Sequence, residues 1–271
     1  MMADYRIFDS HAHYDDEKFA GGEIALLNEL HDKNGVAAVL NAGAGLQTSY
    51  SSAKLAECLD FVYFAAGIHP ENAHTDSVVS DYIDKIAVLA QHPKCRAIGE
   101  IGLDYYYGKE TEKIQKEVFS CQMGLAEKMH LPVIIHDRDA HADCLDMISA
   151  FPNVTGVFHS YSGSFEMAKI LLKKGWYISF NGILTFKNAR KTVEVLEAIK
   201  DYENGRYLSN ILVETDAPYL APVPMRGKIN NSGNIVFTAQ RAGEILGISA
   251  EEFCDLTYKN ACVFYGLEEL L

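Results

Sequence analysis

The sequence predicts an α/β protein of the (β/α)8 TIM-barrel class, eight parallel strands whose C-terminal ends form one rim. Three observations carry that prediction. Short apolar runs rich in Val, Ile, Phe and Ala recur eight times, as expected of strands buried on both faces of a parallel sheet. Stretches with helical spacing lie between most of them. Polar residues able to do chemistry close nearly every run, and a barrel gathers all eight strand ends at one face. The competing arrangement is an open, doubly wound sheet. It would spread those residues along an edge, where only the ones at the switch point meet.

In chain order the runs are Arg6–Asp9, Val36–Asn41, Phe61–Ile68, Arg96–Ile101, Pro132–His136, Val154–His159, Trp176–Phe180 and Ile211–Glu214. At or just past their ends stand His11 and His13, Asn41, His69, Glu100, His136, His159, Asn181 and Asp216. Between the runs, Ile114, Val118, Cys121, Leu125 and Met129 recur every three to four residues, and Met167, Ile170 and Leu171 do the same, which marks helices with one apolar face. Further helices are expected after the eighth strand. No linker, charge block or sequence repeat interrupts the pattern, so residues 1–271 are expected to form one domain.

Composition narrows the function classes. With 48% apolar and 23% charged residues among 271, the chain is neither disordered nor collagen-like. No apolar run approaches the roughly 18 residues of a membrane span. The start, MMADYRIFDS, lacks a basic segment followed by an apolar one, so no secretory signal is expected and a cytoplasmic location is. The six cysteines (Cys58, Cys95, Cys121, Cys144, Cys254 and Cys262) have no CxxC spacing and are read as reduced core thiols. The net charge of −13 argues against a protein that coats nucleic acid by neutralising its backbone. It is compatible with an enzyme whose bound cations supply positive charge locally.

Asp9-Ser10-His11-Ala12-His13 is the first informative motif. Residues i and i+2 of a strand share a face, so His11 and His13 project together and can bind one cation. The plainer alternative is a hydrogen-bonded pair of barrel histidines. Glu100 interrupts an apolar strand, where a carboxylate is costly unless paired or metal-bound. Gly99 and Gly102 remove bulk beside it, so a close approach is expected there. The alternative for Glu100 is a buried salt bridge to Arg138 or Lys109. His136 and His159 end neighbouring strands. Asp216 ends the eighth strand, which adjoins the first in a closed barrel, beside His11 and His13. Glu214, two residues earlier and deeper, suits a structural role. His31, His74, His92, His130 and His141 are read as solvated.

Four histidines and two carboxylates on one rim suit Zn, Mn, Fe or Co, and Mg with retained waters. Six ligands exceed what one open catalytic ion needs. They suit two ions about 3.5–4 Å apart sharing a carboxylate, an arrangement that lowers the pKa of a bridging water and clamps the attacking and leaving oxygens. That chemistry is hydrolysis, most naturally of a phosphate ester.

With these residues in place, the chain resembles the TatD-type metal-dependent deoxyribonucleases, a branch of the amidohydrolase-like barrels. The matching segments are DSHAHYD (9–15), GIHP (67–70), AIGEIGLDYYY (97–107), PVIIHDR (132–138), FHSYSGS (158–164), YISFNG (177–182), ETDAPYL (214–220) and RGKIN (226–230). They recur in family order over nearly the whole chain. The resemblance implies two divalent metal ions (Mg, Mn or Zn). One would be held by His11, His13, Glu100 and Asp216, the other by Glu100, His136 and His159, with Glu100 as the bridge. It implies that Asp216 also orients or deprotonates the attacking water. It implies DNA hydrolysis, often 3′→5′ on single-stranded ends. The chain departs from the family pattern after the eighth strand, where RGKRNEP becomes RGKINNSG. Ile229 removes a cation able to meet a phosphate, and Ser232 in place of the proline is expected to free the loop. HSYSG stands where HCFSG or HSFSG is commoner.

Candidate substrate contacts follow. His69 and Arg138 are placed one step outside the metal cluster, within reach of a non-bridging phosphate oxygen. Arg138 as a partner of a ligand carboxylate is the alternative. Arg226 and Lys228 lie on the longest loop, 221–234, and are either phosphate-binding or simply solvated. Tyr105, Tyr106, Tyr107 and Tyr161 are able to stack on bases, with packing over the rim as the plainer account. The leading expectation is a two-metal deoxyribonuclease acting on single-stranded DNA. The alternative is a small-molecule amide, lactone or phosphoester hydrolase on the same barrel, motivated by the acidic charge and Ile229. A non-catalytic metal- or partner-binding barrel is the third. The oligomeric state is left open, a monomer among the options.

Overall fold

The computed structural model describes residues 5–73, 77–106 and 108–271; His74 and Tyr107, named above, lie outside them. The strands are β1 (Ile7–Ala12), β2 (Val36–Ala42), β3 (Val62–Ala66), β4 (Cys95–Asp104), β5 (Val133–Arg138), β6 (Gly156–Phe158), β7 (Tyr177–Phe180) and β8 (Ile211–Val213). They form one eight-stranded sheet in the order β1 to β8. Its first and last strands close it. His13 N–H donates to the Ala217 carbonyl at 2.7 Å and Asp216 N–H to the His11 carbonyl at 2.9 Å, with a parallel bridge from Ala12 to Ala217. This is the (β/α)8 barrel that the eight apolar runs predict.

The helices are α1 (Glu23–Asn34), α2 (Leu46–Cys58), α3 (Ser77–Leu89), α4 (Glu112–Met129), α5 (His141–Ser149), α6 (Phe165–Lys173) and α7 (Arg190–Asp201), followed by α8 (Ile235–Leu246) and α9 (Ala250–Phe264) beyond the last strand. Among the described residues no helix is long and apolar enough to cross a membrane. The expected apolar faces are rotated in two helices. In α4 the buried positions are Gln115, Val118, Phe119, Gln122, Met123, Leu125 and Ala126, which leaves Cys121 exposed. In α6, Met167, Ala168, Leu171 and Leu172 are buried and Ile170 faces solvent. Cys58 at the end of α2 is exposed too, so four of the six free thiols, not all of them, belong to the core.

Two compact units make up the chain, Met1–Leu40 with Ser160–Leu271 and Asn41–His159. In the first, Phe8, Phe180, Leu212 and Phe253 are buried between strands β1, β7, β8 and their helices. Ser249 and Glu252 cap α9 reciprocally, each satisfying a backbone N–H the helix cannot. In the second unit, Phe64, Ile98, Phe119 and Ile134 are buried in its core. Lys94 there donates to the carbonyls of Ala56, Leu59 and Asp60 at 2.7, 2.7 and 3.2 Å, satisfying acceptors that the end of α2 leaves open.

β4 outruns its predicted length. The expected run stops at Ile101, whereas pairing with β5 continues through Asp104↔Arg138 after a register shift between Ile98 and Ile101. Gly102 permits this. Its φ is +143° and a Cβ there would overlap the His136 carbonyl oxygen, so only glycine lets β5 come that close. What approaches the glycines around Glu100 is therefore neighbouring chain, the His136 backbone at Gly102 and the Ile134 side chain at Gly99.

Candidate metal centre

In the first unit β1 brings His11 and His13 together as the i, i+2 spacing requires. Their Nε2 atoms lie 3.0 Å apart. Asp216 Oδ1 is 3.8 Å from Nε2 of His11 and 3.4 Å from that of His13. Ligands about 2.1 Å from one cation at ordinary coordination angles are separated by about 3–3.4 Å. The nitrogen–nitrogen–oxygen trio thus has the chemistry and most of the spacing of a cation's coordination edge. Asp216 sits at φ +55°, a left-handed conformation costing an L-residue about 1–2 kcal/mol. Its N–H bond to His11 helps to hold it there.

Two carboxylates back this trio. Asp9 is fully buried and accepts from Thr215 N–H at 2.9 Å, Thr215 Oγ1 at 2.6 Å and Ser232 Oγ at 2.7 Å. Burial pushes its carboxyl up to about 7, although these donors pull it down. Glu214 Oε1 accepts Ser160 N–H at 2.7 Å and lies 3.4 Å from Asn181 Nδ2, the structural position expected of it. The segment after β8 is not freed by the missing proline. Asn230 donates to the Thr215 carbonyl and accepts from Asn234. Asn231 accepts the Gly233 N–H. Ser232 bonds both Asp9 and Tyr14. The residues that replace Glu-Pro are anchors in their own right.

In the second unit the carboxylate of Glu100, 3% exposed, stands among imidazoles. Its Oε1 is 2.7 Å from His159 Nε2, 2.9 Å from His136 Nδ1 and 3.7 Å from His69 Nε2. His136 Nδ1 and His159 Nε2 are 3.3 Å apart, again a coordination-edge spacing. Lys109, one of the cations considered for Glu100, turns instead to Glu112 at 3.6 Å. His69, expected a step outside, packs its ring 4.3 Å from that of His136. Its Nδ1 accepts the Glu71 N–H at 3.1 Å, so in the neutral ring Nε2 carries the proton and acts as a donor.

The sequence reading assigned no role to Asp104. It ends β4, and its Oδ2 lies 2.9 Å from His136 Nε2. Burial alone would raise its carboxyl, but the His136 contact and the Tyr106 N–H hold it below the usual carboxylate range. Burial likewise works against the charged His136 ring, yet Asp104 and Glu100 on its two nitrogens raise it overall. A second acidic residue in an apolar strand, four positions from Glu100, was the available signal.

The candidate substrate groups divide. Arg138 is exposed and its guanidinium lies 3.6 Å over the ring of Tyr106, which is 54% exposed. Tyr105 and Tyr161 are buried, their hydroxyls donating to Asp143 and to the Ser164 carbonyl; they pack over the rim and are not stacking surfaces. Arg226 lies over Phe186 at 3.9 Å; Lys228 and Ile229 are exposed on the same loop. Of the histidines read as solvated, His31, His92 and His141 each have a partner: the Val36 carbonyl, the Lys94 N–H and Asp137 respectively.

Residues 8–266 match the family model described as TatD-related DNase. The chain belongs to the TatD family. It is 37% identical over 257 residues to the "uncharacterized metal-dependent hydrolase YabD" of Bacillus subtilis (strain 168), spanning 94% of this chain and 97% of that one. It is 38% identical over 211 residues to the "uncharacterized metal-dependent hydrolase YcfH" of Escherichia coli (strain K12), 77% and 76% of the two chains. Its fold matches the crystal structure of YjjV, a TatD homologue from Escherichia coli K12, with a TM-score of 0.85, 26% identity and coverage of 97% and 99%. This TatD protein is accordingly a metal-dependent hydrolase, and its clustered imidazoles and carboxylates are the residues fit to hold the metal.

Proposed function

We propose that this TatD-family hydrolase is a deoxyribonuclease that cleaves DNA phosphodiester bonds, working 3′→5′ from single-stranded ends. The observation that carries the reading is Glu100, a carboxylate buried in an apolar strand with His159 and His136 nitrogens at 2.7 and 2.9 Å, a placement that is costly unless the charge is compensated. In this reading His11, His13, Glu100 and Asp216 hold one divalent ion and Glu100, His136 and His159 a second, with Mg, Mn or Zn as the candidates. Such ions, when bound, supply Lewis-acid polarisation of the phosphoryl group and lower the pKa of water.

The chain's own groups do the rest. Asp216, the most accessible of the ligand carboxylates at 16% side-chain exposure, orients the attacking water and takes its proton. His69 donates from Nε2 to a non-bridging phosphoryl oxygen, because Nδ1 is already committed to Glu71. Arg138 offsets phosphate charge, and the Tyr106 ring beneath it offers a face to a base. Arg226 and Lys228 meet the backbone farther along the strand.

The test is hydrolysis of end-labelled single-stranded DNA by purified protein with Mg or Mn, with and without a chelator. Stepwise shortening from the 3′ end that the chelator abolishes supports the proposal. Intact DNA alongside turnover of small esters would overturn it. The second reading, a small-molecule hydrolase, is favoured by one observation: Ile229, 51% exposed, stands where a loop cation would meet a strand. A panel of phosphodiesters, lactones and amides separates the two.

A further inference from the structure

The Asp104 carboxylate, buried to 4% side-chain exposure, is built into place from three directions. Its Oδ1 accepts the Tyr106 N–H at 2.9 Å. Its own N–H donates to Gln115 Oε1 and its carbonyl accepts Gln115 Nε2, both at 2.9 Å. Gln115 is itself buried on α4 and tied to Thr111 at 2.9 Å. A helix side chain thus fixes the end of β4, and β4 fixes the carboxylate. The remaining oxygen, Oδ2, faces His136 Nε2 at 2.9 Å.

An ionised carboxylate only accepts hydrogen bonds, so His136 must donate from Nε2. Glu100 Oε1 lies equally close to Nδ1, at 2.9 Å, so without a cation both nitrogens face carboxylates; a cation bound at Nδ1 would displace that proton alone and leave Nε2–H on Asp104. Imidazoles that bind metal commonly donate their other N–H to a carboxylate, which fixes the tautomer and raises ligand basicity.

We propose that Asp104 is a positioning residue: it holds His136 as the Nε2–H tautomer and so presents the Nδ1 lone pair to a divalent cation shared with Glu100 and His159. The inference rests on the metal-dependent hydrolase reading of this site but not on DNA being the substrate. Asp104 acts through His136 and is not itself a ligand.

The first measurement uses the unaltered protein loaded with Zn(II), a diamagnetic divalent ion. Long-range ¹H–¹⁵N correlation spectra at alkaline pH report which His136 nitrogen is protonated, the resonance being assigned with His136→Ala. Protonation at Nε2 is expected; protonation at Nδ1 overturns the proposal. The second is Mn(II) binding by calorimetry. Asp104→Asn offers an amide N–H to His136 Nε2 and favours the opposite tautomer, and about a 10–100-fold loss of affinity is expected, with circular dichroism unchanged. In the His136→Ala background the same substitution should change affinity less than about twofold, since additivity fails for residues acting through one another. An unchanged affinity in Asp104→Asn overturns the proposal. So does a full further loss in the double variant, which would make Asp104 a ligand. Neither measurement involves DNA, so failure of the nuclease reading leaves this test intact, and the reverse also holds.

Discussion

Asp9 grips Thr215 twice, through the backbone N–H at 2.9 Å and the hydroxyl at 2.6 Å. The pair locks the first strand to the residue just before Asp216, in the stretch where the barrel's two ends meet. Replacing Asp9 with alanine removes the buried acceptor of Thr215 N–H, Thr215 Oγ1 and Ser232 Oγ, although Ser232 Oγ keeps its bond to Tyr14 and Thr215 Oγ1 still accepts the Ala217 N–H. At about 1–3 kcal/mol for an unsatisfied buried group, a loss of about 1–3 kcal/mol is expected in urea unfolding. Thr215→Val, which removes one hydroxyl, should cost about 1–3 kcal/mol.

Gly102→Ala should be among the most damaging single-methyl additions in the chain. Both the φ of +143° and the collision with the His136 carbonyl oppose it. Strain of about 1–3 kcal/mol for the backbone adds to about 1–3 kcal/mol for overpacking. A lowered melting temperature together with weakened Mn(II) binding is expected, because β5 cannot move without moving His136. A variant with normal stability and normal metal affinity would contradict the close-packing account.

A pH dependence resides in Asp143. Lys116 at 2.9 Å and the Tyr105 hydroxyl at 2.8 Å hold its carboxyl below the usual range. A depressed carboxylate contributes stability that is present above its unfolded pKa and lost as pH falls through its folded one. The stability difference between the natural protein and Asp143→Asn should therefore be full at about pH 6 and shrink below about pH 4. The groups are partly exposed, so a difference no larger than about 1 kcal/mol is expected. A gap that widened with acid would reverse the sign and refute the assignment.

Two substitutions probe the substrate reading. Tyr106→Ala removes an exposed ring beneath Arg138. Stacking contributes about 1–3 kcal/mol per base, so binding of single-stranded DNA should weaken while hydrolysis of a small phosphodiester persists. Ile229→Arg should tighten DNA binding and steepen the slope of log affinity against log salt by about 0.7, the value for one added contact to a single strand.

The barrel was legible because burial on both faces of a parallel strand leaves an unmistakable run of apolar residues, and polar rim positions interrupt it. The ligand candidates were legible for the same reason: Glu100 and His136 have no business in such runs unless chemistry keeps them. Asp104 escaped because the predicted strand ended at Ile101. Its extension depends on a register shift and on the Gly102 contact with β5, neither of which leaves a periodic trace. The anchoring by Asn230 and Ser232 was equally hidden. A missing proline suggests freedom only until the partners on Asp9, Tyr14 and Thr215 are known. The tyrosines divided by exposure, a property of the finished surface and not of the local sequence.

The His11–His13–Asp216 trio draws on opposite ends of the sequence, whereas Glu100, His136 and His159 lie within one stretch of it. During synthesis on the ribosome the second group is complete long before the first. A nascent chain therefore contains every residue of one imidazole–carboxylate group while the other still waits for residue 216, and a product stopped short of that point would lack the carboxylate of the first trio.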